Sequence, residues 1–360
     1  MLQFTPPLVR IAMTTPGLRI TALAGGIGGA RFLRGLLTHL AAAYPDGAGS
    51  STAEVTVIGN TGDDIWMHGV KVCPDLDTVM YTLGGGINED QGWGRVDETF
   101  TVKAELATYG AAPDWFGLGD RDLATHLVRT RMLTAGVPLS EVTARLCERW
   151  NPGVRLIPMS DQRVETHVLV DDPTGALTDD GSPVHTAIHF QEWWVRYRAS
   201  LPAHGFVLMG LDEARPAPGV VESIREADIV VLPPSNPVVS IGTILSVPGI
   251  REALQSTSAP VVGLAPIIGT APVRGMADAC LAAIAVETSS TAVAAHYGAR
   301  SNGGILDGWL VDSLDAESVD PIEALGITTV AVPLLMTDIS ATAAMAAAAL
   351  ALADRVKARP

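Results

Sequence analysis

The stretch Ala22-Leu23-Ala24-Gly25-Gly26-Ile27-Gly28-Gly29-Ala30-Arg31 is a glycine loop that closes a short apolar run, Ile20 to Ala24, and opens a helix. An apolar run without alternation suits a strand buried on both faces of a parallel sheet. Backbone without Cβ atoms admits a diphosphate closely, and the free amides of a helix start carry partial positive charge. The loop therefore places an anionic ligand at the end of the first strand. It is not the dinucleotide fingerprint, because Arg31 stands where Gly26-x-Gly28 would need a third glycine. Nor is it a P-loop, since no Gly-Lys-Ser/Thr follows. Arg31 reads as a fixed cation able to pair bidentately with a phosphate. A tight strand-to-helix turn with Arg31 in solvent is the plainer alternative.

Working outward, strand and helix patterns alternate. Ile20–Ala24 is followed by a helix near Ala30–Ala43 and a strand at Val55–Gly59, a βαβ unit with a right-handed crossover. A helical middle comes next, over Leu76–Leu83, Val102–Tyr109, Leu123–Ala135 and Ser140–Trp150. Strand patterns return at Thr166–Val170 and Thr186–Phe190 around a polar loop, Asp171 to His185, that reads as mobile. Ile229–Leu232 and Val261–Ala265 are further buried strands, with late ones near Ile305–Val311 and Thr329–Val332. The fold class is α/β: a doubly wound, mostly parallel, Rossmann-like sheet with a mostly helical insertion after the second strand. Residues 1–18, with Pro6, Pro7 and Pro16 and no long apolar core, read as a flexible tail rather than a signal peptide. Residues 19–360 then form a single domain, with 61–150 as the insertion.

Composition bounds the function. A chain of 360 residues with 48% hydrophobic content can bury a sizeable core. A formal net charge of -15 without any Lys/Arg block argues against nucleic acid or an anionic membrane as partner. Cys73, Cys147 and Cys280 are too widely spaced for a disulfide framework or a zinc site and read as buried thiols of a cytoplasmic protein. The Ala-rich stretch Ala341 to Ala353 is too short to span a bilayer and reads as a final, surface-docked helix.

Four further motifs carry chemistry. Asn60-Thr61-Gly62-Asp63-Asp64 follows the second strand and faces the same crevice as the glycine loop. Adjacent carboxylates opposite a phosphate are what Mg2+ uses; a capping Asp63 beside a solvated Asp64 is the alternative. Pro74-Asp75-Leu76-Asp77-Thr78 adds two acids at a helix start, where the dipole alone would favour them. Gly119-Asp120-Arg121-Asp122-Leu123-Ala124-Thr125-His126 opens another helix, on which Asp122, Thr125, His126 and Arg129 share a polar face. A helix cap is the alternative for one of its acids but does not account for Gly119, Arg121, Thr125 and His126 together, for which a solvated face is the alternative. Finally, Pro233-Pro234-Ser235-Asn236-Pro237-Val238-Val239-Ser240-Ile241 stands at another strand end, with short hydroxyl and amide groups suited to a base, ribose or phosphate, or to a turn alone. His167, His185 and His189 lack metal-ligand spacing and read as structural. Trp193 and Trp194 read as core.

Together these motifs, with Phe190-Gln191-Glu192-Trp193-Trp194 and Pro266-Ile267-Ile268-Gly269, closely resemble the 2-phospho-L-lactate transferase family of deazaflavin coenzyme F420 biosynthesis, and more narrowly its actinobacterial, phosphoenolpyruvate-transferring branch. The resemblance covers about residues 19 to 340 and departs in the tail and in the loop Asp171 to His185. It implies Mg2+-dependent transfer from a guanosine-diphosphate-linked enolpyruvate, or lactate, donor to the ribityl hydroxyl of Fo (8-hydroxy-5-deazariboflavin), with GMP leaving. On that basis Gly25, Gly26, Gly28, Gly29, Ala30, Arg31, Asn60, Ser235, Asn236, Ser240 and Ile241 are assigned to the donor. Asp63 is the first metal ligand, and Asp75 or Asp77 completes the site or takes the hydroxyl proton. Asp77, Thr78, Gly119, Asp120, Arg121, Asp122, Thr125 and His126 are assigned to Fo, with Trp66, Tyr81 and Trp93 as candidate cover for its ring. A homodimer is the expected assembly. A nicotinamide-dependent oxidoreductase would want an acid where Asn60 ends the second strand, and a non-catalytic nucleotide-binding regulator leaves the acidic turns unexplained.

Overall fold

A computed structural model describes residues 17–358; most of the expected N-terminal tail, residues 1–16, lies outside them. The glycine loop links β1 (Arg19–Ala24) to α1 (Ile27–Ala43), and β2 (Glu54–Gly59) follows. The insertion starts with a small hairpin, β3 (Ile65–Met67) and β4 (Val70–Val72). It continues with α2 (Pro74–Leu83), α3 (Thr101–Thr108), α4 (Asp120–Thr134) and α5 (Leu139–Trp150). The chain then runs through β5 (Arg155–Pro158), β6 (Glu165–Asp171), β7 (His185–His189), a turn of π-helix at Glu192–Arg196, and β8 (Gly205–Met209). After α6 (Val220–Glu226) come β9 (Ile229–Leu232), α7 (Ile241–Ser246), α8 (Ile250–Ser256) and β10 (Val261–Leu264). A short hairpin, β11 (Ile267–Ile268) and β12 (Ala271–Pro272), precedes α9 (Ala277–Ala283) and α10 (Ser290–Tyr297). β13 (Gly308–Asp312), α11 (Val319–Glu323), β14 (Thr328–Val332) and α12 (Ile339–Lys357) close the fold.

The central sheet has seven strands in the order β14-β13-β10-β9-β1-β2-β5, all parallel. β1 lies between β2 and β9 and is buried from Ile20 to Ala24, as its unalternating apolar sequence requires. The chain builds outward from β1 in one direction through β2 and β5, then returns to build outward from β9 in the other. The β1/β9 boundary is therefore the switch point, and a crevice opens beyond the carboxyl ends of these strands. The helical insertion is the crossover from β2 to β5, an edge strand whose four residues carry too little pattern to be read from sequence.

Four features differ from the sequence reading. The strands at 165–171 and 185–189 do not join the main sheet; with β8 they form a separate antiparallel sheet, β7-β6-β8. The polar face of α4 points inward: Thr125, His126 and Arg129 are buried, while Leu127 and Val128 are 53% and 49% exposed. Polar residues replace apolar ones there because they meet the Asp77 carboxylate on α2 and the Lys71 backbone carbonyl on β4. α12 runs 19 residues and is, by length and composition, apolar enough to cross a membrane. It packs instead against α1 and the sheet, burying Met345, Ala346, Ala349, Leu350, Leu352 and Ala353. Of the three thiols, Cys73 and Cys280 are buried, whereas Cys147 is only partly so.

Candidate active site

The crevice at the switch point is a cavity of about 810 Å³. Its floor is the glycine loop and the first turn of α1, through Gly26, Gly28 and Arg31. The loop is tight because three segments meet there. A Cβ on Gly26 would lie 2.5 Å from Asp75 Oδ1, and one on Gly28 would lie 2.2 Å from the Pro234 carbonyl oxygen. Only glycine lets the β1 loop pass between the start of α2 and the β9 loop. The Gly25 amide donates to Ser235 Oγ at 3.2 Å, joining the β1 and β9 loops directly.

Asp63 and Asp75 project from adjoining turns and both line the cavity. Asn60, fully buried at the end of β2, holds the pair in place. Its Nδ2 donates to Asp75 Oδ2 at 2.9 Å and to the Val239 carbonyl at 3.3 Å, while its Oδ1 accepts from the Gly62 amide at 2.9 Å. Burial, followed by the charge of Asp75, raises the Asp63 carboxyl well above the usual carboxylate range. Burial also pushes Asp75 up to about 6 against the hydrogen bond from Asn60. Asp63 Oδ1 is buried with no hydrogen-bond partner. An all-oxygen pair held in shape, with an orphaned oxygen and an unbalanced charge, fits a hard divalent cation.

The neighbouring acids differ in having cationic partners, although Asp64 Oδ1 and Asp77 Oδ2 are also buried without a hydrogen bond. Asp64 pairs with Lys71 Nζ at 3.3 Å and accepts from Cys73 Sγ at 3.0 Å. Asp77 does not reach the cavity: it is bound to Arg129, which is 1% exposed. Arg129 Nη1 also donates to His126 Nδ1 at 3.1 Å, which leaves the ring proton on Nε2, 3.2 Å from Asp122 Oδ2. Tyr81 donates to Asp122 Oδ1 at 2.6 Å. Asp77, Asp122, Thr125 and His126, expected at Fo, thus belong to a buried lock between α2 and α4, with Thr125 enclosed in the same face.

The Gly-Asp-Arg-Asp turn is likewise a joint. Asp120 accepts from Thr99 Oγ1 at 2.6 Å and from the Thr101 and Val102 amides at 2.9 Å, capping α3. These bonds hold its acid down at about 2. Glu98 returns the favour at α4, accepting from the Arg121 amide at 2.6 Å and the Asp122 amide at 2.9 Å. A Cβ on Gly119 would lie 1.9 Å from Glu98 Cγ, which is why glycine stands there. The Arg121 side chain is exposed. Gly119 and Asp122 open onto a separate recess of about 80 Å³, with Trp93 and Gly117 between it and the main cavity.

Of the assigned donor residues, Gly26, Gly28, Arg31, Ser235, Asn236 and Ser240 line the cavity. Gly25, Gly29, Ala30 and Asn60 stand behind it, and Ile241 is core at 1% exposure. Asn236 also shapes its turn, accepting from the Val238 and Val239 amides at 2.9 and 3.2 Å. Thr78 lines the cavity on the α2 side. Of the aromatics, Trp93 lines the cavity, whereas Trp66 and Tyr81 do not. Trp193 is fully buried as expected, yet it and Trp194 wall the cavity together with Phe190 and Phe116. Arg274, on the segment after β12, was missed altogether. It lines the cavity within electrostatic reach of Arg31, and burial followed by that neighbour lowers its pKa. Nothing local to Val273-Arg274-Gly275 marks it.

A seven-stranded, doubly wound sheet with a glycine loop, arginines and paired acids at its switch point defines an α/β protein whose ligand site lies at that point. The family model for 2-phospho-L-lactate transferase CofD matches residues 20–335, and the chain belongs to that family. It is similar to the phosphoenolpyruvate transferase of Streptomyces griseus, 64% identical over 341 residues that span 95% of this chain and 100% of that protein. The phosphoenolpyruvate transferase of Mycolicibacterium smegmatis is 59% identical over 337 residues, 93% of this chain and 99% of that protein. Among solved structures, a member of the UPF0052 family from Bacillus halodurans superposes with a TM-score of 0.59 at 18% identity, covering 94% of this chain and all of that one. That likeness shows the shared fold. The chain is a transferase of coenzyme F420 biosynthesis.

Proposed function

We propose that this transferase moves the phosphoenolpyruvyl group from enolpyruvyl-diphospho-5'-guanosine to the terminal ribityl hydroxyl of Fo, giving dehydro-F420-0 and GMP. The observation that carries the reading is the mixed lining of the cavity. It combines the α1 amino end, Arg31 and Arg274, which suit phosphate, with the aromatic side chains Phe116, Phe190, Trp193 and Trp194, which suit a flat tricyclic ring. At about 810 Å³ it has the size of a site for large organic ligands. Asp63 and Asp75 would hold Mg2+, which when bound neutralises phosphate charge as it develops. Arg31 and the loop amides hold the diphosphate, the aromatic wall excludes water, and Asn60 keeps Asp75 aimed into the cavity. The ribityl oxygen forms the new bond to phosphorus as the bond to the GMP oxygen breaks. Its proton passes to Asp75, which with Asp63 supplies the only carboxylates lining the cavity among the described residues.

Mass spectrometry of the product from Fo and an equimolar mixture of enolpyruvyl- and lactyl-diphospho-guanosine tests the reading. Dehydro-F420-0 as the main product supports it; F420-0 as the main product reassigns the donor to lactate, and Fo left unextended overturns it. For Arg31, the fork of two parallel hydrogen bonds is expected to matter as well as the charge. Arg31→Ala should weaken GDP binding about 10- to 100-fold and Arg31→Lys by less, read by calorimetry. Unchanged affinity in both variants would return Arg31 to solvent. The reading includes a homodimer, for which the outward Leu127 and Val128 of α4 offer an apolar contact, and sedimentation equilibrium with Leu127→Glu measures it. A cytoplasmic location goes with three unpaired thiols.

A further inference from the structure

Asp171 ends β6, and His185 begins β7 directly opposite it in the antiparallel register. His204, the residue before β8, is tied to the same end of the sheet by its amide, which donates to the Leu169 carbonyl at 2.8 Å. The three side chains converge: His185 Nδ1 lies 3.1 Å and His204 Nε2 lies 2.9 Å from Asp171 Oδ1. All three ligand atoms lie within 4.8 Å of one another, and the two imidazole centroids are 4.7 Å apart. The spacing in sequence conceals this, because 13 and 18 residues separate the three positions; only the strand pairing unites them. His185, isolated in sequence and read there as structural, thus stands in a cluster with a second histidine and an acid.

We infer that Asp171, His185 and His204 form a binding site for a divalent transition metal of the Zn2+ class, separate from the cavity. Around a tetrahedral ion with bonds of about 2.0–2.1 Å, neighbouring ligand atoms stand about 3.3 Å apart, close to the separations from Asp171 seen here. Two imidazoles and one carboxylate select Zn2+ or Co2+ over Mg2+, which prefers an all-oxygen shell. The side chains are 42–57% exposed, so water has access to the remaining coordination position. An ion here clips the ends of β6, β7 and β8 together. The other end of β7 leads straight into Phe190 and the aromatic wall, about 16 Å along the strand. Its consequence for the enzyme is a stiffer wall, not a chemical step.

Co2+ titration of chelator-stripped, full-length protein in saturating Mg2+ tests the site, with Mg2+ present to fill the all-oxygen pair. The expected result is a visible d–d band that saturates near one equivalent per chain and is displaced by Zn2+. The band should be absent in the His185→Gln/His204→Gln double variant and retained in Asp63→Asn. Because the substituted side chains are exposed, the double variant is expected to keep its fold, checked by its melting temperature without metal. No saturable band in the wild type, an undiminished band in the double variant, or loss of the band in Asp63→Asn would each overturn the assignment.

Discussion

Asp63→Asn is expected to lower turnover by about 100- to 1,000-fold while leaving the metal-free protein at least as stable as the wild type. The two effects have one cause. Burial and the nearby Asp75 make the charged form of Asp63 unfavourable in the folded state, so its carboxyl titrates far above its unfolded value of 3.8. A group raised in this way supports folding below the unfolded value, and that support is lost as pH rises through the folded one. Asp75, raised to about 6, behaves alike. The Asn variant lacks the penalty, so its melting temperature relative to wild type should climb as pH rises above the unfolded value of 3.8. Mg2+ should then narrow the gap by stabilising the wild type more. Paired thermal scans across that range, with and without Mg2+, measure this beside the rate. An Asn variant with wild-type turnover and wild-type Mg2+ dependence would remove Asp63 from the metal.

Arg129→Ala is expected to act in the opposite sense, on folding rather than on chemistry. The guanidinium is buried against Asp77, His126 and the Lys71 carbonyl, and its removal strands the Asp77 carboxylate within the protein. Breaking one side of a buried pair costs about 3–5 kcal/mol, a fall of roughly 4–7 °C in melting temperature for a chain of 360 residues. Replacing both partners, as in Asp77→Leu/Arg129→Met, should restore much of the loss, because an apolar pair carries no desolvation cost. Denaturant unfolding of the single and double variants forms the cycle that tests this. Unchanged stability in Asp77→Ala together with lost Fo binding would move Asp77 back to the acceptor site.

Asp77 also shows where sequence reading stops. Asp75 and Asp77 sit two positions apart on one helix start, both acidic and both suited to the dipole, and nothing local distinguishes them. Two residues on a helix point in widely different directions, so one enters the cavity and the other meets Arg129, 52 residues away. The Gly-Asp-Arg-Asp turn is a similar case. Its density of polar groups reads as a binding site, and the structure spends that density on reciprocal caps between α3 and α4. The inward polar face of α4 defeats amphipathic reading for the same reason, since the partners that make burial of His126 and Arg129 tolerable lie on other elements.

By itself the sequence determined the parallel sheet, its doubly wound order of elements, the glycine loop with Arg31 at the first strand end, and the acids at the second. Each of these is written within about ten consecutive residues, as periodicity, turn chemistry or capping, so no distant partner is needed to read it. The tertiary structure alone decided which carboxylates stay free and which are paired. It also moved β6 and β7 into their own sheet, placed Arg274 and the tryptophans around the cavity, and brought Asp171, His185 and His204 together. The physical reason is that a charge's role is set by its neighbours' charge and by access to water, and in a crossover-rich fold those neighbours come from far along the chain.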